Sequence, residues 1–454
     1  MEIRATVGRE RLAALFDAGT FVETGAYVKR ADGEMTGAVC GYGAIGGKLV
    51  YAFAQDSDRK KGAFDALQAE KIAALYGMAM KNGAPVVGMF DSAGAVLCDG
   101  ASAMSAYGRL LKVVSDASGV IPQIAVINGV CAGMAATVAA MFDLTVTVEG
   151  RSQIFVNAPF TVGKEVGTVE AVAQNGLSSI EVKDDADLNA KIAKLIAWLP
   201  SNNAEGVVIE SVADDANRRV SVAGVSGREL VAALADGNDF LEIGASYAPE
   251  MITGLCTLGG VICGVIASNP AERGGVISVD GSKKAAKLIG FCDSFSLPVI
   301  TLVDSIGVEA SEEAENAPLA AQLGKLAMAY ATADTAKITV VVGKAYGAAF
   351  TLMGSKALGA DMTYALTDSE ISVMNPASAV AFLWNDRITE ETTRADLEAE
   401  WRETQASAIA AASDGSIDDV IDAAELRQRI CSAVYMLLMK NGGAPSRKHC
   451  NLPL

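Results

Sequence analysis

Two short segments rich in small residues are the strongest candidates for chemistry in this sequence. They read "INGVCAGMAA" (127–136) and "VGKAYGAAFT" (342–351). Each follows a run of β-branched residues and leads into an apolar segment, so the sequence predicts a strand, a tight turn and a helix in both places. The opening turn of a helix leaves backbone N–H groups unpaired, and Gly and Ala let a ligand approach them closely. Two such donors aimed at one point would stabilise an oxyanion of acyl or enolate chemistry.

We call these segments the Gly133 turn and the Gly347 turn. A second interpretation of both is that their glycines let a helix pack closely against a strand. Duplication would copy a packing solution as faithfully as a binding site, so the recurrence of the turn leaves both interpretations open.

Few other residues are candidates for catalysis or metal binding. Asp91-Ser92 and Asp304-Ser305 end predicted strands and could supply catalytic carboxylates, although helix capping and turn formation is the role we expect. The only histidine is His449, in "RKHCNLP" almost at the C-terminus. This position argues against Ser-His-Asp and Cys-His catalysis and excludes a site with several His ligands.

The elements that must position the two turns also occur twice. "GAPVVGMFDSAGAVL" (83–97) matches "SLPVITLVDSIGVEA" (296–310) in its Pro, its apolar run, its Asp-Ser and its Gly. Asp91 and Asp304 are 213 positions apart, and the glycines of the two turns are 214 positions apart. A nearly constant offset over this length indicates a repeat of a whole domain.

Each half has the same order of elements. A helical segment runs into an apolar strand, and a second helix, a β-branched strand, the small-residue turn, a third helix and a short strand follow. Strands separated by helices of this length indicate βαβ units with parallel pairing. We therefore predict an α/β fold with two domains, 1–205 and 206–454, divided near "WLPSNNAEG" (198–206). Amphipathic helices after about 391 are expected to pack on the second domain.

Composition limits the classes of function. A formal charge of −17 over 454 residues argues against a nucleic-acid partner, because phosphate binding needs a basic face. The eight cysteines contain no C-x-x-C pair and are typical of reduced, buried thiols in a cytoplasmic protein. The N-terminus lacks the apolar run of a signal peptide. The uncharged stretch 125–142 is better explained as a buried strand, turn and helix than as a membrane span.

Longer stretches of the chain resemble a known family. "DSAGAVLCDGASAMSAYGRLL" with "VIPQIAVINGVCAGMAATVAA" resembles the first half of the carboxyltransferase subunit of biotin-dependent acyl-CoA carboxylases and decarboxylases. "VVVGKAYGAAFTLMGSKALGADMTYALTDSEISVMNP" resembles the second half more closely. The opening "RERLAALFDAGTFVE" is also similar, so the resemblance covers nearly the whole chain. It implies two tandem crotonase-like (ClpP/crotonase-type) βαβ superhelical domains that arose by internal duplication.

The resemblance implies a reaction and its sites. The family transfers CO₂ between biotin and the α-carbon of a small acyl-CoA, such as propionyl-, methylmalonyl- or glutaconyl-CoA. The first domain would serve the acyl-CoA, with an oxyanion hole at the N–H groups of Gly133 and Met134. The second would serve biotin, with a hole at Ala348 and Ala349. The family usually has paired glycines in these turns, whereas this chain has Gly-Met and Gly-Ala-Ala.

The same resemblance supplies candidate substrate-binding residues and no metal ligand. "AFAQDSDRKKG" (52–62) is similar to the family's CoA-adenine loop, in which basic residues could meet the CoA phosphates. A solvated basic cluster is the alternative for this loop. The segment "SKKAAK" (282–287) is expected to be an exposed helix face. The substrate-binding candidates are Gln55, Asp56, Lys60, Gly94, Ala95, Ala132, Gly307, Tyr346 and Gly347.

Partners follow from what the chain lacks. No lysine has the Met-Lys-Met setting of a biotin attachment site, so biotin must be carried on a separate carboxyl carrier protein. A carboxylase would also need a biotin carboxylase, and a decarboxylase would need a membrane subunit. The family further implies a dimer-based homo-oligomer, a hexamer, that is cytoplasmic or peripheral to a membrane complex. Two other functions stay open: a crotonase-like CoA-thioester hydratase or hydrolase, and a non-catalytic scaffold subunit.

Overall fold

A computed structural model describes residues 5–30, 33, 35–163, 165–212, 214–222, 224–440 and 453. The chain divides into two compact units, Met1–Gly206 (unit 1) and Val207–Leu454 (unit 2). Helices and strands alternate along both units. The predicted α/β class is therefore confirmed.

Unit 1 contains one sheet and the helices that flank it. The elements along the chain are α1 (Val7–Leu15), β1 (Val22–Thr24), β2 (Ala38–Ile45), β3 (Lys48–Gln55), α2 (Ala66–Asn82), β4 (Val86–Ser92), α3 (Ala101–Ala117), β5 (Gln123–Ala132), α4 (Met134–Ala140), β6 (Leu144–Val148), β7 (Gln153–Phe155), α5 (Pro159–Val162), α6 (Val169–Gln174), β8 (Ile180–Val182) and α7 (Asp185–Trp198).

Unit 2 repeats this order with one additional helix in its middle and one near its end. Its elements are α8 (Gly227–Leu234), β9 (Phe240–Glu242), β10 (Met251–Leu258), β11 (Val261–Ser268), α9 (Val279–Ser294), β12 (Val299–Ser305), α10 (Glu312–Asn316), α11 (Leu319–Thr332), β13 (Lys337–Tyr346), α12 (Ala348–Leu352), β14 (Met362–Leu366), β15 (Glu370–Ser372), α13 (Pro376–Leu383), α14 (Arg394–Thr404), α15 (Ala408–Ser413), β16 (Asp419–Ile421) and α16 (Leu426–Leu437).

The two sheets have matching strand orders. In unit 1 the order is β1-β2-β3-β4-β5-β6-β8, with β7 also pairing β5. In unit 2 it is β9-β10-β11-β12-β13-β14-β16, with β15 also pairing β13. Strands joined through helices pair in parallel, as the βαβ pattern predicts. The internal repeat seen in the sequence is thus a repeat of the whole sheet.

Each sheet also contains an antiparallel hairpin that sequence reasoning missed. Strands β2 and β3 are joined by Gly46 (φ 57°) and Gly47 (φ 78°), and β10 and β11 by Gly259 (φ 59°) and Gly260 (φ 85°). A two-residue hairpin turn of type I′ needs positive φ at both positions, which glycine adopts without strain. Gly-Gly between two apolar runs was the available signal.

The core of unit 1 lies between the sheet and helices α2, α3 and α4. Phe90 of β4 makes edge-to-face ring contacts with Phe53 and Phe142, each at 5.5 Å between centroids. Helix α2 is capped at its N-terminus by Asp65, whose side chain accepts a backbone N–H of the opening turn, and at its C-terminus by Gly83 in the left-handed conformation. These caps fix the ends of α2 and so its placement over the sheet.

Helix α16 packs on unit 2, as predicted for the amphipathic segments after 391. Its buried apolar face comprises Leu426, Ile430 and Val434. Arg427 on the same face is also buried and donates to the carboxylate of Asp236. That carboxylate in turn accepts both N–H groups of the β10–β11 turn, at 3.0 and 2.7 Å.

The expectation of an exposed face at 282–287 is wrong. Lys284 is 7% exposed and donates to the carbonyl oxygens of Tyr247 and Met251, both at 2.7 Å. Lys71 occupies the same place in α2 of unit 1 and donates to a carbonyl oxygen of β2 at 2.8 Å. Both ammonium groups therefore hold backbone of a neighbouring strand, which explains how a charged group is tolerated there.

Other expectations concern single residues. Six of the seven described cysteines are buried, but Cys98 is exposed, so the expectation of buried thiols is wrong at that position. His449 and Cys450 lie outside the described residues. Within the described ranges we find no helix with the length and apolar character needed to span a bilayer.

Candidate active site

The two small-residue turns have the same backbone geometry. Strand β5 ends at Ala132, Gly133 has φ 65° and ψ −130°, and α4 begins at Met134. Strand β13 ends at Tyr346, Gly347 has φ 56° and ψ −133°, and α12 follows. Nothing lies within 4 Å of a Cβ built on Gly133, so its backbone angles, not lack of space, require glycine there.

The structure corrects the donor assigned to Gly133. Its N–H donates to the carbonyl oxygen of Phe155 at 2.8 Å, and the N–H of Gly347 donates to that of Ser372 at the same distance. Each glycine N–H thus extends the backbone hydrogen bonding between a long strand and the short strand beside it, β5 with β7 and β13 with β15. The candidate donors that remain are the backbone N–H groups in the first turn of each helix, such as that of Met134 in unit 1. These groups have no acceptor within the helix itself.

A second strip of backbone lies beside the Gly133 turn. Phe64 donates to the carbonyl oxygen of Gly94 at 2.8 Å, and Val96 donates back to Phe64 at 2.9 Å. The N–H of Ala95, between them, therefore points away from Phe64. A Cβ on Gly94 would lie 3.8 Å from the carbonyl oxygen of Ala132, so this strip passes directly beside the turn.

Unit 2 repeats that strip beside the Gly347 turn. Ile277 donates to Gly307 at 2.9 Å and accepts from Glu309 at 3.0 Å, which leaves Val308 in the place of Ala95. A Cβ on Gly307 would lie 3.7 Å from the carbonyl oxygen of Tyr346. Sequence reasoning missed Val308, although the shared spacing from Asp-Ser to this position could have identified it.

The helix-opening side chains leave the donors accessible. Met134 is half-buried and packs against the core cluster of unit 1. Ala348 is exposed and presents only a methyl group, while Ala349 is fully buried. The departures from paired glycines are therefore compatible with an approach to both turns.

An apolar cleft of about 490 Å³ adjoins the Gly133 turn. Its walls include Ala136 and Ala140 of α4, Phe155 of β7 and Val162 of α5. Phe155 connects the cleft to the turn, because its carbonyl oxygen accepts the glycine N–H there. The cleft and the turn are therefore connected through β7 and α4.

Tyr346 has a defined partner in unit 2. Its hydroxyl donates to the carboxylate of Glu370, which lies 3.6 Å from the guanidinium of Arg402. Burial, followed by this hydrogen bond, raises the pKa of Tyr346 well above its usual value. The phenol therefore stays protonated near neutral pH and is no candidate for a general base.

The predicted CoA loop divides into buried and exposed residues. Gln55 and Asp56 are each 1% exposed, and Gln55 accepts the backbone N–H of Asp91 at 3.3 Å. Neither side chain faces solvent. Lys60 and Lys61 are exposed and have φ values of 48° and 53°, so the loop turns sharply where its cations project.

A duplicated α/β unit, with a glycine turn and a helix opening at the end of its long parallel strand, defines a tandem protein of the crotonase-like class. The chain belongs to the carboxyl transferase family, whose domain model matches residues 5–452. The resemblance drawn from the sequence is confirmed.

Similar proteins include subunits of both decarboxylases and carboxylases. The chain is 35% identical to the methylmalonyl-CoA decarboxylase subunit alpha of Veillonella parvula, over 98% of this chain and 92% of the relative. It is 34% identical to the propionyl-CoA carboxylase beta chain of Saccharopolyspora erythraea, over 98% of this chain and 90% of the relative. The crystal structure of transcarboxylase 12S with methylmalonyl-CoA and methylmalonic acid bound matches with a TM-score of 0.93 and 32% identity, over 99% of this chain and 93% of that one.

Proposed function

We propose that this protein is a biotin-dependent carboxyltransferase that moves CO₂ between biotin and the α-carbon of a small acyl-CoA of the propionyl or methylmalonyl type. The observation that carries this proposal is the pair of turns with the same backbone angles, one in each unit. A reaction between a thioester and a ureido group develops negative charge on two oxygens, and so needs two donor sites. Relatives named for methylmalonyl-CoA and propionyl-CoA support the substrate class.

In unit 1 the N–H groups of Met134 and Ala95 would bind the thioester oxygen. When the C–C bond to the carboxylate breaks, its electron pair delocalises onto that oxygen as an enolate. Fixed donors and the positive end of a helix stabilise this charge without reorganising. The apolar cleft beside the turn would receive the acyl group, and the exposed Lys60 and Lys61 would meet the CoA phosphates.

In unit 2 the N–H groups of Ala348 and Val308 would hold the ureido oxygen of biotin. Biotin, when bound, supplies the ureido nitrogen that carries CO₂ and exchanges a proton for it. The backbone at Gly307 lies close to that of Tyr346, and Ala348 presents only a methyl group. A site of this shape would fit a small planar ligand. We infer that biotin arrives on a separate carrier protein, and that a biotin carboxylase or a membrane decarboxylase subunit completes the complex.

Proline substitution tests the donors directly. Met134→Pro and Ala348→Pro each remove one N–H at the first position of a helix, where proline is tolerated. Transfer of labelled CO₂ from methylmalonyl-CoA to free biotin should fall about 100- to 1,000-fold in each variant. Met134→Ala keeps the N–H and should retain activity.

Two results would overturn the proposed function, and a third would overturn the assignment of the donors. Labelled CO₂ that never reaches biotin in the unmodified protein, despite acyl-CoA binding, would favour the scaffold subunit. Turnover of an enoyl-CoA without biotin would favour the hydratase. Proline variants as active as Met134→Ala would remove the backbone donors from the mechanism.

The exposed apolar residues near the turns support a homo-oligomer. Val156 and Phe160 of unit 1 are 60% and 94% exposed, and Val373 and Phe382 of unit 2 are 70% and 80% exposed. Large apolar side chains that cluster on a surface mark an interaction site. The similar protein transcarboxylase 12S forms a hexamer assembly. We infer that other copies of this chain cover these residues.

A further inference from the structure

One carboxylate in each unit has a role that neither helix capping nor proton transfer explains. Asp91 is the last residue but one of β4 and lies over Gly129 of β5, where an added Cβ would meet its Oδ1 at 2.3 Å. Asp304 is the last residue but one of β12 and lies over Gly343 of β13, where an added Cβ would meet its Cγ at 2.4 Å. Both glycines are therefore required by the carboxylates that cover them.

The carboxylates sit where the pairing of the strands changes register. In unit 1 Phe90 pairs with Ile127, but Ser92 pairs with Cys131, so one residue of β4 faces three of β5. Unit 2 shows the same change, from Val303 with Val341 to Ser305 with Ala345. Such a bulge leaves ladder groups unpaired and bends the strand. In both units the single opposing residue is the aspartate.

The two units stabilise this carboxylate with different partners. Asp91 accepts from Arg11 of α1 at 2.8 Å, and the same guanidinium donates to the carbonyl oxygen of Asn128 at 3.1 Å. Asp304 instead accepts the backbone N–H of Lys344 at 2.9 Å. The feature common to both units is therefore the carboxylate inside the bulge, not one particular ion pair.

Both walls of each proposed donor site leave from this bulge. Ser92 directly follows Asp91, and its hydroxyl accepts the N–H of Gly94 at 3.2 Å, which starts the strip that carries Ala95. Gly133 follows the bulge four positions after Gly129 on the opposite strand. Unit 2 has the same bond between Ser305 and Gly307, also at 3.2 Å. The separation of the two walls thus depends on how the bulge is held.

We infer that Asp91 and Asp304 are positioning residues, each setting the geometry of the oxyanion site in its own unit. This inference rests on the proposed function, because the proposed function assigns acyl-CoA to the site of unit 1 and biotin to the site of unit 2. Asp91 acts through the backbone of the Gly133 turn, and Asp304 acts through that of the Gly347 turn. Neither carboxylate needs to touch a substrate.

Separate titration of the two substrates tests the inference. Asp91→Ala should lower kcat/KM for methylmalonyl-CoA about 100-fold, the scale of a small misplacement, and leave the KM for biotin unchanged. Asp304→Ala should lower kcat/KM for biotin about 100-fold and leave the KM for methylmalonyl-CoA unchanged. A purely structural role would lower the amount of active protein and leave both KM values as they are. Asp116→Ala, on the exposed face of α3, is the control for loss of a surface aspartate.

Conservative and paired variants keep the test decisive if an alanine variant folds poorly. Asp304→Asn retains an oxygen for the N–H of Lys344 and should restore most biotin use. Gly343→Ala fills the place of the carboxylate and should reproduce the defect of Asp304→Ala. The double variant should be no worse than either single variant, because both remove the same contact. Additive losses, or equal changes in both KM values, would overturn the inference.

Binding separates this inference from the proposed function. If the unmodified protein transfers CO₂ and the KM effects are not separated, the positioning role fails while the function stands. If the unmodified protein transfers no CO₂, calorimetry with methylmalonyl-CoA still decides the matter for unit 1. Weaker binding in Asp91→Ala but not in Asp304→Ala would support positioning, and equal affinities would overturn it.

Discussion

Gly133 and Gly347 are the residues on which the two proposed sites depend most directly. Both adopt a positive φ with ψ near −130°, a combination that side chains disfavour. Their angles turn the chain from a strand into a helix within one residue, which places the helix opening beside a second backbone strip. The identity of the residue after each glycine matters less, because the proposed donors belong to the backbone.

Replacing Gly347 by alanine should impair biotin use more than folding. The strained backbone should cost roughly 1–3 kcal/mol of stability or distort the turn. Gly19→Ala introduces a side chain at a similar φ, 76°, with nothing within 4 Å, and serves as the control. Denaturant unfolding should show a loss for both variants, whereas carboxyl transfer should fall only in Gly347→Ala. Equal activities would mean that the turn tolerates a side chain.

Single residues also show what the sequence could predict. Both turns were located from local signals, since a β-branched run followed by small residues is visible in ten positions. The acceptor of the Gly133 N–H was not visible, because it is a carbonyl oxygen of β7, beyond α4 and β6. The fully buried state of Gln55 was hidden for the same reason, as its partner is the backbone of the next parallel strand.

At the scale of elements, helix α9 shows why composition did not predict burial. It contains Lys283, Lys284 and Lys287 in close succession, and no local feature distinguishes them. The position of α9 over β10 selects Lys284, whose ammonium reaches two backbone carbonyl oxygens. Burial lowers the pKa of Lys284 from its ordinary value of 10.5 to about 8.

This lowered pKa predicts a pH dependence of stability. Below pH 8 the lysine is charged in both folded and unfolded chains, and the cost of burying the charge is full. Between pH 8 and 10.5 the unfolded chain binds more protons than the folded one, so stability rises with pH. The free energy of unfolding of the unmodified protein, relative to Lys284→Met, should therefore increase over that interval. Lys283→Met, at an exposed neighbour, should run parallel to the unmodified protein throughout; a parallel Lys284→Met curve would contradict the prediction.

Helix α16 offers a second test at this scale. Arg427 and Asp236 are both fully buried at their side chains, so removing one leaves the other uncompensated. Arg427→Met should cost about 3–5 kcal/mol of stability in denaturant unfolding. Arg429→Met removes an arginine two positions along the helix, 42% exposed and paired with Glu425, and should cost at most about 1 kcal/mol. Similar losses in both variants would mean that the buried pair does not anchor the helix.

At the scale of the whole molecule, duplication explains why one sequence holds two turns of equal geometry. Each unit keeps the bulge, the glycine turn and the adjoining strip, while the residues around them have diverged. Arg11 stabilises the bulge of unit 1, whereas a backbone N–H does so in unit 2. Such divergence is what two different ligands would require, since the shared backbone supplies the donors and the surrounding side chains can specialise.

The exposed apolar residues near both turns connect this duplication to assembly. A protein with a formal charge of −17 repels its own copies, so a stable oligomer needs apolar contacts that outweigh this repulsion. Phe160→Glu and Phe382→Glu place a charge at residues that are 94% and 80% exposed, respectively, in the single chain. Light scattering should show a smaller assembly for both variants, because burying an unpaired carboxylate is costly. Ile409→Glu, at a residue 68% exposed on α15, should leave the mass unchanged, and an unchanged mass in all three variants would place the contacts elsewhere.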